Sequence, residues 1–190
     1  MTSNPHMRKK EPEEVRRRLI ECAITSAAEH GLANIKLEAV AKSAGVTKGG
    51  LLHHFPSKAL LIEAVMDFLI KDYQREIQLS LDTEEPGAYG MFTRACINVV
   101  MDSPPEETFS TASLSISIIT SEEAKKVWEK IYFSYLETYK ETDSDKRLAI
   151  IRYAADGIFL ADLTGIGPKG ERRKELHQSL LAMTYQNTKE

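Results

Sequence analysis

The sequence predicts an all-α protein: an N-terminal three-helix headpiece, a long fourth helix and a C-terminal helical bundle. Three observations predict it. Apolar residues recur at i, i+3 and i+4 through most of the 190 residues, the spacing of a one-sided helix. Glycine and proline breaks cut that pattern into pieces of helical length. The stretch from Ile35 to Leu60, IKLEAVAKSAGVTKGGLLHHFPSKAL, reads as two short helices around a tight glycine turn, followed at once by a new helix start. That last pattern is a helix-turn-helix.

The first helix is expected after Pro12 and up to His30. Val15, Leu19, Ala23 and Ala27 form its apolar stripe, and Gly31 closes it. The second runs from about Lys36 to Ala44, with Leu37, Val40 and Ala41 on one face. Gly45 supplies the left-handed position that ends it, and Val46 turns inward between the two helices. Thr47 is the N-cap of a third helix starting near Lys48, its hydroxyl accepting from the backbone of the next turn. That helix is short, because Pro56 disfavours helix at its predecessor and Ser57 caps a new one. The fourth helix reaches about Leu81, with Leu60, Leu61, Ala64, Val65, Phe68, Leu69, Tyr73 and Ile77 at helical spacing.

Composition singles out the third helix. Lys48, Gly49, Gly50, His53 and His54 give it a face with hydrogen-bond donors and almost no bulk. Two adjacent glycines inside a helix cost roughly 1 kcal/mol each relative to alanine, so a close approach is expected there. A helix N-terminus meeting a phosphate backbone or a groove floor provides one. Charge agrees. Residues 1–60 carry 10 basic and 6 acidic side chains, a net +4, while residues 61–190 carry −7. A basic end on an acidic body orients one end of a molecule toward nucleic acid. Arg8, Lys9, Lys10 and Arg16 to Arg18 are further candidates for phosphates, although solvated helix ends look the same in sequence.

On these residues the chain resembles the TetR family of transcription regulators, whose pattern here is G-V-[ST]-x-[GP]-x-[LI]-Y-x-[HY]-F-x-[SDN]-K-x-x-L. Gly45, Val46, Thr47, Gly49, Leu51, His54, Phe55, Ser57, Lys58 and Leu61 fit it. The likeness covers about the first 65 residues. Leu52 stands where an aromatic is common, and His53 at a position that is often aromatic too. The resemblance implies a headpiece over residues 1–60 and a ligand-binding and dimerisation domain over 61–190. It implies a ligand-responsive repressor that binds a palindromic operator as a homodimer. Candidate DNA-binding residues are Lys36, Leu37, Thr47, Lys48, Gly49, Gly50, His53, His54 and Lys58. His54 and Lys58 are assigned to phosphates, and Lys48 or His53 to base edges.

After the break DTEEPGAYG, helices are expected over Ala88 to Met101, Glu107 to Ile119, Ser121 to Tyr139, Asp143 to Leu163 and Lys169 to Tyr185. SLSISII, from Ser113 to Ile119, alternates at period two, but with no partner strand it is read as a helix with a serine side. The resemblance implies an effector pocket among these helices. Met91, Phe92, Cys96, Phe109, Trp128, Tyr132 and Tyr135 are its candidate apolar lining, and Arg94, Asn98, Ser113 and Ser117 its polar one. The same residue types also make plain core. A small, largely apolar effector is expected, and no cofactor or metal. Ile151, Ala155, Ile158, Phe159, Leu176, Leu180 and Met183 are the candidate dimer interface.

Other classes fare worse. His53 and His54, adjacent on a helix, point about 100° apart and make no metal face. No nucleophile elbow, phosphate loop or dinucleotide fingerprint occurs, and Asp156 and Asp162, six apart, do not share a face. No run of about 18 apolar residues or signal-like N-terminus appears, so a cytoplasmic protein with Cys22 and Cys96 reduced is expected. Two alternatives stay open: a helical adaptor for protein partners, and a small-molecule-binding bundle without DNA recognition.

Overall fold

A computed structural model describes residues 5–102 and 122–185. Among them stand nine α-helices and no strand: α1 Pro5–His30, α2 Leu37–Ser43, α3 Lys48–His54, α4 Lys58–Leu81, α5 Met91–Asp102, α6 Glu122–Thr138, the one-turn α7 Lys140–Asp143, α8 Lys146–Leu163 and α9 Gly170–Met183. The helix expected over residues 107–119, with Phe109, Ser113 and Ser117, lies outside the described residues. α1 begins at Pro5, not after Pro12. Pro12 sits within it, where it supplies no N–H to the helix ladder. The helix expected from Asp143 starts at Lys146, because Asp145 caps it by accepting from the Arg147 N–H at 2.8 Å, and Lys140–Asp143 form a separate turn before it.

The described residues form two compact units, and the chain passes from one to the other inside α4, at Ile70 and Lys71. The reason is packing. Leu61, Ala64, Val65 and Leu69 of α4 are buried in one cluster with Leu19, Ile20, Ala23 and Ala27 of α1, Val40 and Ala41 of α2, and Leu51 and Phe55. The first turns of α4 therefore belong to the headpiece core.

In the second unit, α5 is the central element, buried at every position from Met91 to Ile97. One side joins Ile77 and Leu81 of α4, with Tyr135, Leu136 and Tyr139 packed against them. The other joins Leu148, Ile151 and Ala155 of α8 and Leu180 of α9. A helix buried this fully must have its terminal backbone groups satisfied by protein. Asp143 does so at the N-terminus, its carboxylate accepting from the Phe92 N–H at 3.2 Å, the Thr93 N–H at 2.8 Å and the Thr93 hydroxyl at 2.6 Å. Arg152 lies 3.7 Å from that carboxylate and donates to Thr93 Oγ1 at 2.7 Å. At the other end Arg173 donates to the carbonyls of Val100 at 2.7 Å and Met101 at 3.0 Å, and is paired with Asp162 at 2.8 Å.

Burial corrects part of the expected dimer interface. Ile151, Ala155 and Leu180 are core residues of the second unit, with Ile158 and Leu176 packed partly against them. Met183 is exposed, and the exposed apolar face of α8 is made instead by Ile150, Tyr153 and Leu160. α8 is apolar on nearly every side, so its sequence period does not say which stripe points inward.

Asp143→Ala is expected to lower unfolding free energy by about 3 kcal/mol or more, because it strands Arg152 and the α5 N–H groups in the interior. Denaturant unfolding followed by circular dichroism checks this; a loss under about 1 kcal/mol, the size of an exposed pair, contradicts it.

Candidate nucleic-acid interface

The turn between α2 and α3 is fixed by backbone chemistry. Gly45 has φ of 71°. Its N–H bonds the Lys42 carbonyl at 3.1 Å, and the Val46 N–H reaches back to Ala41 at 2.9 Å. These two hydrogen bonds close α2 and demand the left-handed residue that glycine provides at low cost. Thr47 follows in extended conformation, and its hydroxyl accepts from the Gly50 N–H at 3.0 Å. Ser57 caps α4 in the same way, accepting from the Leu60 N–H at 3.2 Å.

These bonds set which side of α3 faces out. Leu51 is fully buried and Leu52 packs partly against the same core, so the residue in the usual aromatic position serves the fold. Lys48, Gly49 and His53 are exposed, while Gly50 and His54 are half-buried. The two histidine rings meet edge to face at 5.6 Å. A Cβ on Gly49 would meet only Thr47 Oγ1, at 3.8 Å, so nothing inside the chain requires glycine there. One on Gly50 would come within 3.4 Å of that oxygen, a tighter fit.

Around α3, Lys36 is exposed just before α2, and Lys58, half-buried, opens α4. Leu37 is half-buried against the headpiece core, which makes it a packing residue first. The Arg16 guanidinium lies 5.0 Å from the Phe55 ring centroid, tying α1 to the end of α3. Lys48 Nζ donates to Glu38 Oε1 at 2.5 Å, and this bond holds the Glu38 carboxyl below its ordinary range. Glu38 is a neighbour that periodicity did not single out.

The second unit treats the expected lining residues unequally. Phe92 is fully buried and stacked on Tyr135 at 5.2 Å and Tyr139 at 5.5 Å, and Met91 is buried beside it. Both are core. Arg94 is engaged by protein: it binds Glu84 through Nε and Nη2, donates to the Tyr89 carbonyl at 2.8 Å and faces the Tyr185 ring at 4.7 Å. A guanidinium 3% exposed needs that many acceptors. Asn98 donates to Ser80 at 3.0 Å and pairs with the His177 ring at 2.9 Å. Burial pushes the Cys96 thiol far up, which keeps it protonated and inert.

Trp128 and Tyr132 remain only half-buried, with Trp128 against Tyr73 at 4.9 Å. Burial raises the phenols of Tyr73 and Tyr132. Nearby on α8, Arg152 Nε is a buried donor without a hydrogen-bond partner. Asp156 keeps contact with solvent, yet desolvation raises its carboxyl against the opposing pull of Arg152. Tyr73, Arg152 and Asp156 were not among the residues expected at an effector site; they come from two helices far apart in sequence. Among the described residues no helix is long and apolar enough to cross a membrane.

Comparison with known proteins agrees with this geometry. Residues 19–65 match the sequence model described as "Bacterial regulatory proteins, tetR family". Residues 90–185, half of the chain, match "Tetracyclin repressor-like, C-terminal domain". The HTH-type transcriptional regulator TtgR of Pseudomonas putida is 31% identical over 91 residues, 48% of this chain and 43% of its own length. The chain thus spans less than half of that relative. The HTH-type transcriptional repressor KstR2 of Mycolicibacterium smegmatis is 27% identical over 158 residues, covering 80% of this chain and 71% of that protein. The crystal structure of AibR in complex with isovaleryl coenzyme A and operator DNA superposes with a TM-score of 0.65 at 15% identity, over 90% of this chain and 98% of that one.

Because Gly49 faces out with space around it, Gly49→Ala is expected to leave the fold intact, or to stabilise it by up to about 1 kcal/mol, while weakening duplex binding. Paired thermal-melting and binding titrations check it. Unchanged affinity removes close approach as the reason for this glycine.

Proposed function

We propose, for a chain that belongs to the TetR family of bacterial regulatory proteins, that it represses transcription as a homodimer on a palindromic operator and releases it on binding a small organic effector. The observation that carries the DNA reading is the exposed N-terminal half of α3. It is capped by Thr47 and fixed by the Gly45 turn, and it presents Lys48 and Gly49 with open space at the glycine, while His53 is exposed in the last turn of the same helix. A helix of this kind enters the major groove by its first turns. Lys36, Lys58 and Arg16 flank it with cations suited to phosphates.

Dimerisation is supported by the exposed apolar residues Ile150, Tyr153 and Leu160 on one face of α8, since apolar surface left in solvent marks an interface. A two-fold dimer doubles the contacts and gives the operator its symmetry. For the effector, Trp128, Tyr132 and Tyr73 offer aromatic surface, with Asp156 and Arg152 Nε as polar groups for orientation. Repression follows if the dimer covers a promoter. KstR2, similar over 80% of this chain, is itself named a repressor.

Selection of bound duplexes from a random pool, using the 190-residue chain and its Tyr153→Glu variant, tests this reading. The expected outcome is an inverted repeat for the parent chain, and at least about tenfold weaker binding with a monomeric mass for the variant. A pool without enrichment, or an operator lacking symmetry that the variant binds equally well, contradicts it.

A further inference from the structure

Between residues 31 and 62 the sequence holds four lysines, Lys36, Lys42, Lys48 and Lys58, and one acidic residue, Glu38. A lone carboxylate in the part of the chain that meets polyanionic DNA lowers affinity for every sequence, so its presence needs a reason. Fold stability does not supply one. The pair it forms with Lys48 is solvent-exposed, with 53% of the lysine side chain and 65% of the glutamate accessible, and exposed ion pairs contribute little.

What the pair does is geometric. Glu38 stands in the first turn of α2 and Lys48 is the first residue of α3, so the bond spans the two helices on their solvent side. An unrestrained lysine is a mobile point charge that settles on phosphates and carries no sequence information. Bonded to Glu38 Oε1, the Lys48 ammonium has two further N–H donors, and α3 continues from it with Gly49 and Gly50. Donor and acceptor then stand side by side. Two ammonium donors suit guanine, which sets two acceptors, O6 and N7, side by side where adenine sets an amine beside its N7, and the carboxylate suits the N4 amine of the paired cytosine.

Resting on the DNA reading above, we propose that Glu38 is a specificity-determining residue that withholds Lys48 from phosphates and, with it, reads a G·C pair in each half-site. The carboxylate gives up general affinity for discrimination, as a repulsive element does against wrong partners.

The test compares the 190-residue chain with Glu38→Gln, Glu38→Asp and Lys48→Met. Each is taken through selection from a random duplex pool, then titrated on operator and random duplex across a range of salt. The parent chain is expected to enrich one G·C position per half-site. Glu38→Gln is expected to lose about tenfold of the preference there, to bind random duplex more tightly, and to steepen the salt slope by about one, the signature of one added phosphate contact. Glu38→Asp should recover part of the preference. Lys48→Met should lose it without steepening the slope. Melting temperatures should stay within a few degrees of the parent's, since the pair is exposed. An unchanged base profile and slope in Glu38→Gln overturns the assignment. So does a uniform loss at all sequences with a lowered melting temperature, which marks a structural role. Failure of the parent chain to bind any duplex removes the DNA reading together with this one, whereas binding that is indifferent to Glu38 removes this one alone.

Discussion

The second unit depends on satisfying the two ends of a helix that has almost no solvent to turn to. α5 is buried from Met91 to Ile97, and its backbone donors and acceptors find protein partners of the matching charge. Asp143 supplies the anion at the N-terminus and Arg173 the cation at the C-terminus. Each is balanced in turn, Asp143 by Arg152 of α8 and Arg173 by Asp162 of the same helix. α8 and α9 are therefore registered against α5 by directional bonds as well as by Leu148, Ile151, Ala155 and Leu180. That register leaves Ile150, Tyr153 and Leu160 outside. The surface available to a second copy is thus a consequence of how α5 is capped.

Local chemistry governs the headpiece. The Gly45 turn, the Thr47 cap and the Ser57 cap each act within four or five residues, and together they fix the length of α3 and which of its side chains are exposed. Packing then decides between adjacent residues: Leu51 and Leu52 hold the helix down, and Lys48, Gly49 and His53 are left to meet a partner. One helix combines anchorage and presentation because its period separates the two faces.

The difference between local and long-range determinants explains what was legible in the sequence. α2, α3 and α4 fall within a residue or so of their expected bounds, since caps and glycine turns are written next to the elements they delimit. The exposed side of α3 was legible for the same reason, and Leu37 of α2 and Leu52 of α3 pack partly against the headpiece core. The partners of Arg94 were not legible, because Glu84 and Thr184 lie 10 and 90 residues away. The cap of α5 was invisible because Asp143 is 50 residues from Thr93. On α8 the exposed apolar residues Ile150, Tyr153 and Leu160 stand beside buried Ile151 and Ala155, because a helix apolar on most sides carries no phase until a neighbour defines it. Glu38 escaped notice because its partner is on the next helix.

The central claim is that two copies of α3 enter the major groove of one duplex on the same face. Guanine-N7 methylation protection on the selected operator tests it most directly, because N7 lies only in that groove. Two protected windows about one helical turn apart, or a multiple of that spacing, are predicted, each within one half-site. A single window, or a bound complex that leaves every guanine open to methylation, contradicts the account.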